Sequence, residues 1–203
     1  ESEFGFVDES KTPAYRVFLS DTQASLDKWS NQLTAGTATV HIRGLFMGMG
    51  ETRFEGAFRP ETESPDFSLS LRIVKAQVKS LSNLLRAHGG VGLVSGVFSV
   101  FAEMTVKHNE IDGYVKPLFK DVKANDPSLK EDGGLLKKIY SRIIDAASEL
   151  LKNTPRGEVA ALSEVSGPVE NPRASTWELV VTLIQNAFFE AVLPGFEKSG
   201  QKS

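Results

Sequence analysis

Apolar residues recur at every second position through much of the chain. Between Ala38 and Phe46, the residues Ala38, Val40, Ile42, Gly44 and Phe46 are apolar or small, and Thr39, His41 and Arg43 point the other way. That is the period of a strand with one buried face. Glu51 to Pro60 repeats the arrangement, with Phe54, Gly56 and Phe58 opposed by Arg53, Glu55 and Arg59, and Gly48 and Gly50 supply a turn between the two segments. A hairpin is predicted. Phe67, Leu69, Leu71 and Ile73 then alternate with Ser68, Ser70 and Arg72.

The pattern resumes at Val97 to Val106, where Phe98, Val100, Ala102, Met104 and Val106 oppose Ser99, Phe101, Glu103 and Thr105. Asn109-Glu110 reads as a turn into a further strand that begins with Ile111, Gly113 and Val115. Phe4 to Val7 and Tyr15 to Leu19 are additional strand candidates, as is Val159 to Val165. Strands of about ten residues reach roughly 33 Å, longer than usual, and predict an extended, curved sheet.

Three segments change to helical period. Lys79 to His88 places Leu81, Leu84 and Leu85 on one side and stops at Gly89-Gly90. Leu135 to Leu151 carries Ile139, Ile143, Ile144 and Ala147 on an apolar stripe. Ser175 and Glu178 form a capping box before a wide apolar face from Leu179 to Val192, ahead of Pro194. The expected fold is mainly β with α: an elongated, curved antiparallel sheet, a short inserted helix and C-terminal amphipathic helices. It forms one domain over residues 1–203, with helices near 79–88, 135–151 and 176–193 and a polar tail at 197–203.

Composition narrows the chemistry. The 203 residues are 40% hydrophobic and 24% charged, an ordinary globular balance. Lys and Arg total 23 against 26 Asp and Glu, so no overall charge draws the chain to nucleic acid. Cysteine is absent, which excludes disulfides, thiolate metal sites and a cysteine nucleophile. No run of about 18 apolar residues occurs. The opening Glu1-Ser2-Glu3, without an initiator Met, suggests a portion of a longer protein whose targeting segment lies upstream.

Candidate reactive groups are sparse. His41, His88 and His108 have no partner at metal-ligand spacing, so no metal or other cofactor is expected. Gly89-Gly90-Val91-Gly92 follows a helix and precedes a strand, the reverse of a phosphate loop, and reads as a helix stop. Ser95 is one place off the nucleophile-elbow pattern in Gly92-Leu93-Val94-Ser95-Gly96. Glu51, Glu55, Asp66 and Glu103 fall on polar strand faces and read as solvated. Lys116, Lys120 and Lys123 beside Pro117-Leu118-Phe119 read as exposed loop charge, with head-group contact the sharper alternative. No catalytic residue is assigned, and an enzyme is not expected.

Ile111-Asp112-Gly113-Tyr114-Val115-Lys116-Pro117-Leu118-Phe119-Lys120-Asp121 resembles the signature of the AsmA-like bacterial envelope proteins, a superfamily that includes TamB-like members, in its domain-of-unknown-function branch. Within it, Gly113, Tyr114, Lys116, Pro117, Leu118 and Phe119 carry the likeness. Leu84-Leu85-Arg86-Ala87 and the glycine-led Ser95 to Met104 stand ahead of it, and Ser166-Gly167-Pro168, Thr176-Trp177 and Asn186-Ala187-Phe188 behind it, as in that family. The resemblance runs from about Phe54 to Pro194. It implies an inner-membrane-anchored protein with a periplasmic β-groove that moves phospholipid toward the outer membrane. This chain would be the C-terminal periplasmic portion, its anchor lying elsewhere.

On that reading Val40, Ile42, Phe54, Phe58, Phe67, Leu69, Leu71, Ile73, Phe98, Val100 and Met104 line a lipid groove. The expected partners are phospholipid acyl chains, the upstream part of the same protein and envelope proteins. The rival expectation is a closed core, the two amphipathic helices covering the sheet, in a structural or protein-interaction module. Periodicity does not choose between them.

Overall fold

The computed structural model describes residues 2–28, 36–59, 65–89, 93–124, 158–160, 162–169, 183–184 and 186–188. They form one antiparallel sheet of nine strands. In chain order these are β1 (Phe4–Asp8), β2 (Tyr15–Asp27), β3 (Ala38–Phe46), β4 (Gly50–Phe58), β5 (Phe67–Gln77), β6 (Leu93–Lys107), β7 (Glu110–Ala124), β8 (Glu158–Ala160) and β9 (Ser163–Pro168). Each of β1 to β7 lies beside its sequence neighbours, and β8 and β9 both pair with β7. Between β5 and β6 a 3₁₀ turn, Val78–Leu81, leads into helix α1, Ser82–Gly89.

The alternating segments become the central strands because their register stacks like with like. Ile42 lies opposite Phe54, Phe54 opposite Leu71, Leu71 opposite Ala102, and Ala102 opposite Val115. Opposed residues share a face, so one side of the sheet is apolar from β3 to β7. Arg59 and Asp66 close the β4–β5 connection through a backbone hydrogen bond of 3.0 Å and an ion pair of 3.7 Å.

Register shifts add a residue to β2, β5, β6 and β7, and in three of these strands a non-glycine residue at the shift is left-handed. Asp21 (φ 50°) marks the shift in β2, Lys75 (φ 58°) that in β5 and Asp121 (φ 53°) that in β7. All three lie toward the end of the sheet that holds the β3–β4 turn and α1. Bulges of this kind bend a strand and sharpen its twist, so the sheet curves at that end. Buried Val78, Leu81 and Leu85 fill that bend.

Several boundaries differ from the pattern-based expectation. The β6–β7 turn is His108-Asn109, not Asn109-Glu110, with φ of 52° and 62° and Lys107 paired to Glu110. That is the two-residue hairpin geometry, positive φ at both central residues. β2 runs on to Asp27, past a bulge that moves its apolar positions from odd to even numbers after Ser20. Gly48, at φ 77°, makes the β3–β4 turn, but Gly50 is already the first residue of β4. Val159 to Val165 is two strands, not one.

That last break has a cause on β7. β9 pairs Glu110 to Val115 and β8 pairs Leu118 to Lys120, which leaves Lys116 and Pro117 without a strand partner on that side among the described residues. Proline has no N–H to give a ladder, so the outer neighbour changes at Pro117. The predicted helix at 135–151 lies outside the described residues. Of 176–193, Leu183, Ile184 and Asn186 to Phe188 are helical, and Ala187 is buried in the core with Leu183, Ile184 and Phe188 against it. No described helix is long and apolar enough to cross a membrane.

Candidate functional site: the two faces of the sheet

The eleven residues expected to line a groove share the apolar face, as the register of β3 to β6 requires. The structure divides them into two groups. Phe67, Leu69, Ile73, Phe98, Val100 and Met104 are buried, members of one cluster that continues through Val106, Ile111, Val115 and Phe119. Phe98 is its centre: 1% exposed, edge-on to Phe46 at 5.9 Å and tilted against Phe119 at 6.4 Å. Val40, Ile42, Phe54, Phe58 and Leu71 are only half-buried. Beyond them, at the β1 edge, Phe4 and Phe6 are 68% and 51% exposed.

Paired apolar positions therefore lead from the closed core under β5 to β7 to the exposed phenylalanines of β1. Phe4 lies opposite Leu19, Leu19 opposite Phe46, and Phe46 packs on the core. Residues Gly113 to Phe119 straddle the two faces of β7. Gly113, Pro117 and Phe119 belong to the apolar side, opposite Met104, Val100 and Phe98, and Tyr114, Lys116 and Leu118 to the other. Gly113 has a steric reason to be glycine. A Cβ there would stand 2.7 Å from the Met104 Cα and closer still to the Glu103 carbonyl oxygen.

The opposite face is polar. A shallow depression of about 570 Å³ crosses it, lined among others by His41, Glu55, Ser70, Glu103, Asp112 and Tyr114. His41, Glu55, Ser70, Glu103 and Tyr114 form one cross-strand row. The Tyr114 hydroxyl is held above its usual pKa, first by burial and then by the charge and hydrogen bond of Glu103. Among the described residues no three His, Asp or Glu side chains come together as a metal site.

A third feature is not visible in the sequence, because His88 lies 73 residues from Tyr15. Asp8 accepts hydrogen bonds from the Ser10 backbone N–H at 2.9 Å, the Ser10 hydroxyl at 2.6 Å and the Tyr15 hydroxyl at 3.0 Å. With its proton given to Asp8, the Tyr15 oxygen accepts from His88 Nε2 at 3.1 Å, which selects the Nε2–H tautomer. This chain ties β1, β2 and α1 together. Burial, then Asp8, pushes the Tyr15 hydroxyl up to about 12. Burial, then the Lys11 charge, lowers His88, with Asp8 opposing.

A histidine whose folded pKa lies below its ordinary 6.5 binds fewer protons folded than unfolded. Its contribution to stability is present above 6.5 and is lost as pH falls through the folded value. Thermal melts between pH 7.5 and pH 5 are expected to show a falling midpoint, and His88→Gln to flatten that slope. An unchanged slope would mean that His88 is not the titrating group.

Comparison of the chain with family models finds no match, and comparisons with curated proteins and with solved structures find none either.

Proposed function

We propose that the protein shelters phospholipid acyl chains on the open part of its apolar face, as a β-groove segment of the cell envelope without a chemical step of its own. The observation that carries this reading is the run of apolar positions from half-buried Val40, Ile42, Phe54, Phe58 and Leu71 to exposed Phe4 and Phe6. Acyl chains are held by burial alone, about 0.8 kcal/mol for each CH₂ removed from water. The groove so proposed is shorter than the eleven-residue lining, since the β5 and β6 members other than Leu71 are spent on the core.

The resemblance of Ile111 to Asp121 to the AsmA-like signature supports a periplasmic setting, with an inner-membrane anchor in the upstream part of the protein and phospholipid transport or outer-membrane biogenesis as the task. A second reading has its own support. Burial of Phe67, Leu69, Ile73, Phe98, Val100 and Met104, with Ala187 in the same cluster, favours a closed-core module that binds envelope proteins.

Leu71 separates the two. It is half-buried and lies between Phe54 and Ala102 on the apolar face. Leu71→Asp is expected to leave a folded protein that no longer retains lipid, read by native mass spectrometry and lipid extraction of the purified protein. Wild-type protein that carries no phospholipid and takes up none when it is added would refute the groove and leave the interaction module.

A further inference from the structure

The polar face carries a second cross-strand row, next to the one that lines the depression. Arg43 lies directly opposite Arg53, Arg53 opposite Arg72, Arg72 opposite Phe101, and Phe101 opposite Lys116. Arg43, Arg53 and Arg72 are exposed, and Lys116 is half-buried. The Arg72 guanidinium stands 5.6 Å over the Phe101 ring. The ion pairs of the described residues, Arg16 with Glu3 and Arg59 with Asp66, involve none of the four. Glu51 and Glu55 flank Arg53 two places away on the same strand, and Glu103 and Glu164 belong to the neighbouring row.

Like charges directly opposite each other destabilise a sheet, and the row contains two such pairs in succession. A chain of net charge −3 has carboxylates enough to alternate. Adjacent strands lie about 4.8 Å apart, so three arginines stand on neighbouring strands at one level of the face, all exposed. Arginine meets phosphoryl oxygens through paired hydrogen bonds, and several arginines on successive strands suit a ligand that carries several phosphates.

We propose that Arg43, Arg53 and Arg72, extended by Lys116, form a binding site for a phosphate-bearing polyanion laid across β3 to β5 and reaching β7. The site is on the face opposite the acyl surface and does not depend on it. The phosphates come either from a soluble condensed phosphate or from contiguous anionic head groups.

Two probes distinguish these sources: inorganic tripolyphosphate by titration calorimetry at low ionic strength, and co-sedimentation with phosphatidylglycerol against phosphatidylcholine vesicles. Arg53→Gln is expected to weaken the bound probe about tenfold. The combined variant Arg43→Gln, Arg53→Gln, Arg72→Gln should abolish binding without lowering the melting temperature, because it removes repulsion, and Lys79→Gln, off the face, should change nothing. Leu71→Asp should leave tripolyphosphate binding intact, which separates this site from the acyl surface. Tripolyphosphate binding alone assigns a soluble ligand, selective sedimentation with phosphatidylglycerol alone assigns head groups, and both together assign a site that takes phosphates from either. Binding of neither probe, binding retained by the triple variant, or a triple variant that melts lower would overturn the proposal.

Discussion

Phe98→Asp is expected to unfold the protein. Phe98 is among the most deeply buried side chains and touches ring systems from β3 and β7, so the substitution removes those contacts and leaves a carboxylate among Ile73, Val100 and Phe119. Loss of the ring alone is worth about 3 to 5 kcal/mol, and burial of an unpaired charge adds to it. That approaches the whole stability of a typical domain. Urea titration followed by circular dichroism should show no folded baseline, whereas Phe98→Leu should retain one at a cost of about 1 to 2 kcal/mol. A cooperative Phe98→Asp transition near the wild-type midpoint would mean that the cluster is not the core. The contrast with Leu71→Asp matters, because two residues with the same strand periodicity are predicted to fail in different ways.

Gly113→Val carries the second large effect. A side chain at Gly113 would have to displace the β6 backbone at Glu103 and Met104, which cannot rotate away as a side-chain tip would. The pair must widen or slip, along the longest strands of the sheet, at an expected cost of about 2 to 4 kcal/mol. Amide exchange should localise the damage to the β6–β7 ladder. Gly48 provides the control: nothing lies within 4 Å of its missing Cβ, and only its φ of 77° resists substitution. Gly48→Ala should therefore cost about 1 kcal/mol and leave the ladder protected. If Gly113→Val were as mild as Gly48→Ala, the close approach of β6 and β7 would be wrong.

Much of the sheet was legible because alternation and register express the same constraint. Strands at Ala38–Phe46 and Phe67–Gln77 need one wet and one dry face, and the residues that alternate are those that meet across the ladder. Legibility failed where geometry departs from period two. The bulge at Asp21 hid the second half of β2, and a proline on β7 split one expected strand into two. The Asp8, Tyr15 and His88 chain was invisible, since α1 must first fold back over β2 before those side chains meet.

The polar faces show the same division at the functional level. In the sequence Arg43, Arg53 and Arg72 each fall on the polar side of a separate strand. Only the pairing of β3, β4 and β5 sets them side by side, and only then does their mutual repulsion call for an explanation.

By itself the sequence determined that this protein is built mainly of antiparallel strands with one apolar side and a short helix between the fifth and sixth. A side-chain period of two can satisfy burial in no other way. The tertiary structure decided how far that apolar side is closed. Phe67 and Phe58 obey the same alternation and lie opposite each other, yet one is sealed in the core and the other is half open. Alternation specifies which face a side chain takes, whereas its burial depends on what the rest of the chain lays over that face.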